Sequence, residues 1–139
     1  MKFEDFMKEE KVKKVSKDIQ LFKSLIKTSE QDLKFLNTLE INENSARKIM
    51  ISYYDTLRSF LEAIVMLKGY KIYSHEAYTY FLKQENENLL AEKFDRFRKI
   101  RNDINYYGKS ISIAEAIENK QKILEIIKEL KDKFNLNIG

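Results

Sequence analysis

The chain has 139 residues, and its 26 basic and 22 acidic side chains give a formal net charge of +4, which favours acidic partners only weakly. It contains no proline, three glycines and no cysteine, so helices are favoured and disulfides, thiolate nucleophiles and cysteine-based metal sites are excluded. No apolar run is long enough to cross a bilayer, and the first residues lack a signal-peptide pattern, so we expect a cytoplasmic protein without membrane contact.

The first predicted element is a long N-terminal helix within residues 1–40. Apolar residues recur there every three or four positions, while most lysines lie off this stripe. The stripe consists of Val15, Ile19, Phe22, Ile26, Leu33 and Leu36. The polar run at 41–45, Ile-Asn-Glu-Asn-Ser, breaks the pattern and predicts a loop.

The clearest predicted helix runs from about residue 44 to residue 68, and Gly69 is a suitable residue to end it. Its apolar positions are Ala46, Ile49, Met50, Tyr53, Leu57, Phe60, Leu61, Ile64 and Leu67. A short connector, Tyr70 to Tyr73, then leads to a short helix that Ser74 caps.

After a turn at 85–88, the next helix is predicted to end at Gly108, and the capping-box pattern Ser112-Ile-Ala-Glu115 begins the last helix. The sequence contains no internal repeat and no linker. It predicts an all-α fold in which residues 1–139 form a single domain, an antiparallel bundle of about five helices.

The segment DRFRKIRNDINYYGKS, residues 95–110, combines three arginines, two asparagines and two adjacent tyrosines. Its helix carries an apolar stripe made of Leu90, Phe94, Phe97 and Ile104. Arg101 belongs to the same series, and Arg98 and Asn105 lie about one turn away on nearly the same face. We therefore expect the Arg101 guanidinium to lie against the apolar core.

A buried arginine needs an ionic or hydrogen-bonded partner. Asp55 and Glu62, on one face of the second long helix, are the predicted partners of Arg101. One interpretation is a structural ion pair that joins the two helices. The other is a polar groove that binds phosphate, with Arg98 and Arg101 as its donors.

The segment FRKIRNDINYYGK resembles the motif helix of the HEPN superfamily, whose members are small all-α domains that often dimerise. Arg101 and Asn102 match the Arg-polar opening of that motif, and the Tyr-Tyr-Gly end is similar to that of some archaeal HEPN-like proteins. Upstream, SYYDTLRSFLEAIVMLKGYKIYSHEAYTYFL resembles the paired-tyrosine helix and Ser-His loop of many HEPN proteins. The resemblance implies a HEPN-like core at residues 45–130.

HEPN ribonucleases carry a histidine four to six residues after the motif arginine, and two protomers bring these residues together in a dimer cleft. Here positions 105–108, which cover that interval, hold Asn105, Tyr106, Tyr107 and Gly108. The resemblance assigns the catalytic positions to Arg101, Asn102 and Tyr106, and the binding positions to Arg98, Arg101, Asn105 and Tyr107. Cleavage without a metal needs a base and an acid, and a tyrosine with its usual pKa of about 10 is a poor base.

His75, the only histidine, precedes a different helix. Either it makes local contacts at that helix start, or it replaces the missing motif histidine. One histidine without cysteine, and without His-x-x-x-His or Glu-x-x-His spacing, predicts no metal site. No phosphate-binding or dinucleotide-binding glycine pattern occurs, so we expect no cofactor.

The paired tyrosines also have two interpretations. Beside arginines, they suit the stacking of unpaired bases. Tyr53 and Tyr107, however, lie on apolar stripes, so we expect their rings in the core with the hydroxyl bound to a partner.

Three functions remain open at this level. The first is a HEPN-like module that binds RNA or a nucleotide with little or no cleavage. The second is a divergent, metal-independent endoribonuclease, the toxin of a toxin–antitoxin pair with a minimal nucleotidyltransferase as partner. The third is a structural helical interaction protein. We also expect a homodimer with the helix after Glu87 at its interface, because that helix carries Phe94, Phe97, Tyr106 and Tyr107.

Overall fold

Six helices and one two-stranded ladder make up residues 1–136, the part of the chain that the computed structural model describes. The predicted all-α helical bundle is confirmed, with one helix more than expected. In chain order the elements are α1 (Phe3–Lys8), β1 (Val12–Lys14), α2 (Ile19–Asn37), α3 (Ala46–Leu67), β2 (Tyr70–Ile72), α4 (His75–Gln84), α5 (Asn88–Tyr107) and α6 (Ile113–Lys133).

The predicted long helix within residues 1–40 is wrong as a single element. This segment forms α1, β1 and α2, and Glu10 between the first two adopts a positive φ of 61°. β1 pairs antiparallel with β2, so that Val12 lies opposite Ile72 and Lys13 lies opposite Lys71. The pairing buries Val12 and leaves both lysines exposed, which a helix in this position would not achieve. The predicted connector after Gly69 therefore contains a strand.

Helix α3 is the centre of the bundle and packs against α2, α5, α6 and β2. It is apolar on nearly all sides, as expected of a helix surrounded by other elements, and Tyr53, Tyr54, Leu57 and Phe60 are fully buried. The Tyr53 hydroxyl in this core donates to Asn37 Oδ1 at 2.7 Å. The structure thus confirms a core position for Tyr53 with its hydroxyl bound to a partner.

The ends of the helices follow the sequence signals. Gly69 follows α3 with a φ of 84°, and a Cβ there would meet the Val15 carbonyl oxygen at 3.3 Å, so both conformation and space require glycine. Gly108 ends α5 in the left-handed conformation, as predicted. At the start of α6, the Ser112 hydroxyl accepts from the Glu115 backbone N–H at 3.1 Å, which confirms Ser112 as the N-cap, and it donates to the Glu115 carboxylate at 3.0 Å, whereas in a full capping box that carboxylate accepts from the Ser112 backbone N–H.

Helix α5 packs against α3, α4 and α6, and α4 begins directly beside α3. The predicted apolar stripe of α5 is confirmed, because Leu90, Phe94, Phe97 and Ile104 are all buried. Arg101 continues this stripe but is only half-buried. The polar end of α5 therefore faces the side of α3 that carries Tyr54 and Arg58, next to the first turn of α4.

Candidate functional site

Arg98 is the arginine of α5 with a clear acidic partner. Its Nε donates to Asp95 Oδ1 at 2.8 Å, one turn earlier on the same helix. Asp95 also accepts from the Thr79 hydroxyl at 3.1 Å and pairs with Lys99 at 3.1 Å. Burial raises the pKa of Asp95, but the hydrogen bonds from these donors and the charge of Arg98 outweigh burial and hold that pKa below its usual value. Arg98 is thus fixed at the edge of α5.

Arg101 lacks the acidic partner that the sequence predicted. Neither Asp55 nor Glu62 forms an ion pair with it. Within residues 1–136, Glu62 pairs instead with Arg58. The helices are rotated so that the Arg101 guanidinium lies 5.9 Å from the ring centre of Tyr54. The predicted ion pair is therefore wrong, and an aromatic face takes the place of the carboxylate.

Asn105 provides the second contact of Arg101. In the orientation that satisfies its amide group, the Asn105 oxygen accepts from Arg101 Nε at 3.2 Å and from Nη2 at 3.3 Å. A neutral amide supports the guanidinium without cancelling its charge. Arg101 and Asn105 are therefore brought together as the spacing predicted, and the positive charge stays uncompensated by a direct ion pair.

Arg58, on α3, is the third arginine of this region. Its Nη1 lies 3.8 Å from Glu62 Oε2, which is a long contact within one helix. Its Nε is buried and has no hydrogen-bond partner in the described part of the chain. A buried guanidinium N–H without a partner is costly, and in native proteins such a group has a particular cause, for example an ordered water, a bound ion or a functional role. We call Arg58, Arg98 and Arg101 the arginine cluster.

The arginine cluster lies close to the contact between Tyr54, which is buried, and His75, which is half-buried. The Tyr54 hydroxyl lies 3.1 Å from His75 Nδ1, within hydrogen-bond distance, and the two ring centres are 5.9 Å apart. Tyr54 also stacks on Phe94 of α5 with ring centres 5.6 Å apart. These contacts join α3, α4 and α5, so that the only histidine lies within the field of the three arginines.

The electrostatics of the site disfavour additional positive charge. Burial, followed by the charges of Arg58, Arg101 and Arg98, lowers the pKa of His75 from 6.5 to about 4. Burial, followed by the charge of Glu62, raises the pKa of Tyr78 to about 12, although Arg58 opposes this shift. Burial likewise raises the pKa of Tyr54. At neutral pH the site therefore holds a neutral imidazole and neutral phenols among positive guanidiniums.

This arrangement suits the binding of an anion. Guanidinium groups donate to phosphate or carboxylate oxygens through two parallel N–H bonds, and such charge-assisted bonds are stronger than neutral ones. Arg101 offers its charge without an acidic competitor, and Arg58 has a buried donor free. The separate groove between α4 and α5, of about 490 Å³, is lined by three basic and three acidic residues and has no such bias.

The remaining residues named from the sequence lie elsewhere. Asn102 is half-buried beside Arg101, whereas Tyr106 and Tyr107 are exposed at the end of α5, at 71% and 77%. The prediction that Tyr107 belongs to the core is wrong, because α5 extends past the bundle before Gly108 ends it. Neither tyrosine has a hydrogen bond to Arg101 among the described contacts. The helix that carries the motif thus brings Arg98, Arg101 and Asn105 to the site but not its paired tyrosines.

The sequence did not lead us to group three residues of the site into one cluster. These are Tyr54, Arg58 and His75. Tyr54 and Arg58 are four residues apart on α3 and so share a face, which is a signal that was available. His75 is 21 residues from Tyr54 along the chain. Only the packing of α4 against α5 and the pairing of β1 with β2 place it there.

In residues 1–136 no group of three or more histidine, cysteine or carboxylate side chains is arranged to hold a metal ion. No helix in the described range has the length and apolar character needed to cross a membrane. Comparisons of the chain with protein-family models, with curated proteins and with solved structures found no match. The resemblance to HEPN domains therefore rests on the sequence segments quoted above.

Proposed function

We propose that this protein is a HEPN-like, homodimeric module that binds RNA or nucleotide phosphates through the arginine cluster and cleaves RNA slowly or not at all. The observation that carries the proposal is the common electrostatic influence of Arg58, Arg98 and Arg101 on the Tyr54–His75 pair, together with the lack of any carboxylate paired with Arg101 in the described part of the chain. Phosphate contacts supply most of the non-specific affinity of nucleic-acid-binding proteins.

Slow cleavage follows from the proton chemistry of the site. A general base or acid works best with a pKa near the operating pH. With a pKa of about 4, His75 is unprotonated at neutral pH and is a weak base. The phenol of Tyr54 stays protonated, since burial raises its pKa. The cluster can orient a phosphate and stabilise developing negative charge. Neither His75 nor Tyr54, however, has a pKa suited to proton transfer at neutral pH.

The homodimer is the second part of the proposal. Phe94 and Phe97 belong to the protomer's own core, so they cannot form the interface expected from the sequence. The exposed apolar residues nearby are Tyr106 and Tyr107 at the end of α5 and Ile113 and Ile117 at the start of α6. Light scattering tests this part: we expect a dimer for the wild type and a monomer after Tyr107→Asp. A wild type that stays monomeric at high micromolar concentration contradicts it.

RNA binding is tested by anisotropy of a labelled, mixed-sequence single-stranded RNA. Arg101→Ala removes a charge-assisted contact, which corresponds to an affinity loss of about 10- to 100-fold. The matched control is Arg47→Ala, which removes an exposed arginine near the other end of α3. Equal affinity for wild type, Arg101→Ala and Arg58→Ala contradicts the proposed site. Absence of binding by the wild type favours a purely structural bundle.

A ribonuclease, acting as the toxin beside a minimal nucleotidyltransferase, is the second candidate. The specific observation in its favour is that His75 contacts Tyr54, over whose ring the Arg101 guanidinium also lies, so that His75 can replace the missing motif histidine. Single-turnover cleavage of the same RNA, without metal, separates the candidates. Fast cleavage that is lost in His75→Ala supports the enzyme, whereas fast cleavage lost in Tyr106→Phe moves the base to α5. Slow cleavage by all three proteins supports the binding module.

A further inference from the structure

The outer face of the β1–β2 ladder carries a cluster of like charges. Lys13 and Lys71 lie directly opposite each other in the register, and like charges at opposed positions destabilise a ladder. In the described part of the chain, no carboxylate forms an ion pair with either ammonium group, whereas the neighbouring Lys11 is paired with Glu9 at 3.2 Å. The fold therefore maintains an unfavourable pair of charges on an exposed surface.

An exposed aromatic ring lies between these two lysines. Tyr73 follows Lys71 by two residues and so faces the same side of the ladder, and its backbone N–H donates to the Lys11 carbonyl at 2.8 Å. Its side chain is 55% exposed. The ammonium groups of Lys13 and Lys71 lie 5.7 and 5.4 Å from the ring centre. An aromatic ring flanked by two lysine ammonium groups suits a planar, negatively charged ligand, which can stack on the ring and bind the ammonium groups.

The ladder face leads directly to the arginine cluster. Tyr73 is two residues before His75, so their Cα atoms are at most about 7 Å apart. Arg101 lies over Tyr54, whose hydroxyl contacts His75, so a strand that joins Arg101 to Tyr73 has to span more than one nucleotide. Unpaired bases stack on aromatic side chains, and nearby lysines contact the adjoining phosphates. An anionic membrane surface would instead require several exposed apolar side chains, and this face offers one tyrosine.

We propose that Tyr73, flanked by Lys13 and Lys71, is a stacking platform that extends the arginine cluster into a track for single-stranded RNA. This inference rests on the proposed function and names its substrate class: an unpaired strand of more than one nucleotide, in preference to a mononucleotide or a duplex. Lys13 and Lys71 leave the ring and bind the phosphates on either side of the stacked base. Tyr73 binds the base and takes no part in proton transfer.

The test is anisotropy of a labelled single-stranded RNA of about ten nucleotides, within the usual site size of such proteins. Tyr73→Ala should weaken binding by about 5- to 100-fold, the range found for loss of one stacked base. Tyr73→Phe keeps the ring and should stay within about twofold of the wild type. Tyr73→Trp gives the chain a single tryptophan, whose fluorescence should be quenched by the RNA and unaffected by a mononucleotide.

The lysines are tested through the salt dependence of the same affinity. Lys13→Gln and Lys71→Gln should each reduce the slope of log K against log salt by about 0.7, the value for one lost contact to a single strand. Lys83→Gln is the matched control, because Lys83 also lies over a tyrosine ring, that of Tyr80 at 4.6 Å. It should leave the slope unchanged.

The outcomes separate this inference from the proposed function. If Arg101→Ala weakens binding and Tyr73→Ala does not, the platform is refuted and the arginine cluster stands. If Tyr73→Ala weakens binding and Arg101→Ala does not, the platform stands and the proposed site fails. If the wild type binds no RNA, or if Tyr73→Ala affects only binding to phosphatidylserine vesicles, the inference is overturned.

Discussion

The depressed pKa of His75 should make the stability of the protein depend on pH in a defined direction. The folded pKa is about 4 and the reference value is 6.5, so the unfolded chain binds the proton more readily. Below about pH 6.5, His75 is protonated in the unfolded state but stays neutral in the folded state. The free energy of unfolding therefore decreases as the pH falls towards 4. Above that range the contribution of His75 to this dependence vanishes.

The magnitude follows from the size of the shift. The full shift from 6.5 to about 4 corresponds to roughly 3 kcal/mol. His75 is only half-buried, so water screens part of the interaction, and we expect a loss of about 1–2 kcal/mol between pH 7.5 and pH 5. The assay is urea unfolding of wild type and His75→Gln at both pH values. The neutral glutamine removes the titration and keeps a polar side chain beside Tyr54.

The difference between the two proteins isolates the histidine, because carboxylates such as Asp95 titrate equally in both. His75→Gln should lose less stability than the wild type over this interval. An identical loss would show that His75 has an ordinary pKa and that the arginine cluster exerts no field on it. A direct check is the pKa of this single histidine by NMR.

Several further outcomes are expected. Inorganic phosphate or a mononucleotide should raise the pKa of His75 in the NMR titration, since an anion offsets the nearby positive charges. Arg101→Ala should also raise this pKa, and an unchanged pKa in both experiments would contradict the site. Arg101→Ala should change the free energy of unfolding by about 1 kcal/mol or less, because no buried carboxylate loses its partner; urea unfolding with a loss above about 3 kcal/mol would restore the ion-pair interpretation. Gly69→Ala should lower the stability by about 1 kcal/mol or more, through its positive φ and the close Val15 carbonyl, whereas Gly108→Ala, with open space around it, should cost less in the same measurement.

The parts of the fold that follow local rules were predictable from the sequence. The stripe of α5, the glycine after α3 and the serine N-cap of α6 depend on residues within one or two turns of each other, and all three are confirmed. The ladder was missed because its strands have three residues each and one of them lies in a lysine-rich run. Such a short strand is defined by its partner, whose paired residues are 56 to 60 positions away in the chain, and not by its own periodicity.

The candidate site was predictable only on the helix that carries the motif. Spacing correctly placed Arg101 near the core and beside Asn105. It could not give the rotation of α5 against α3, and that rotation decides whether the guanidinium meets a carboxylate or the ring of Tyr54. The location of His75 depends on contacts between residues distant in sequence, so periodicity carried no information about it.

The two parts of the candidate site should differ in how often they unfold locally. The arginine cluster lies on α3 and α5, and the amides of these buried helices exchange only in large or global unfolding. Tyr73 and His75 lie on the other side, where β2 pairs with β1 through three residue pairs and packs against α3, and where the residues of β2 are exposed or half-exposed. In hydrogen exchange, the amides of β1 and β2 should lose protection well before those of α3. The ladder would then open locally while the core that holds the arginines stays folded.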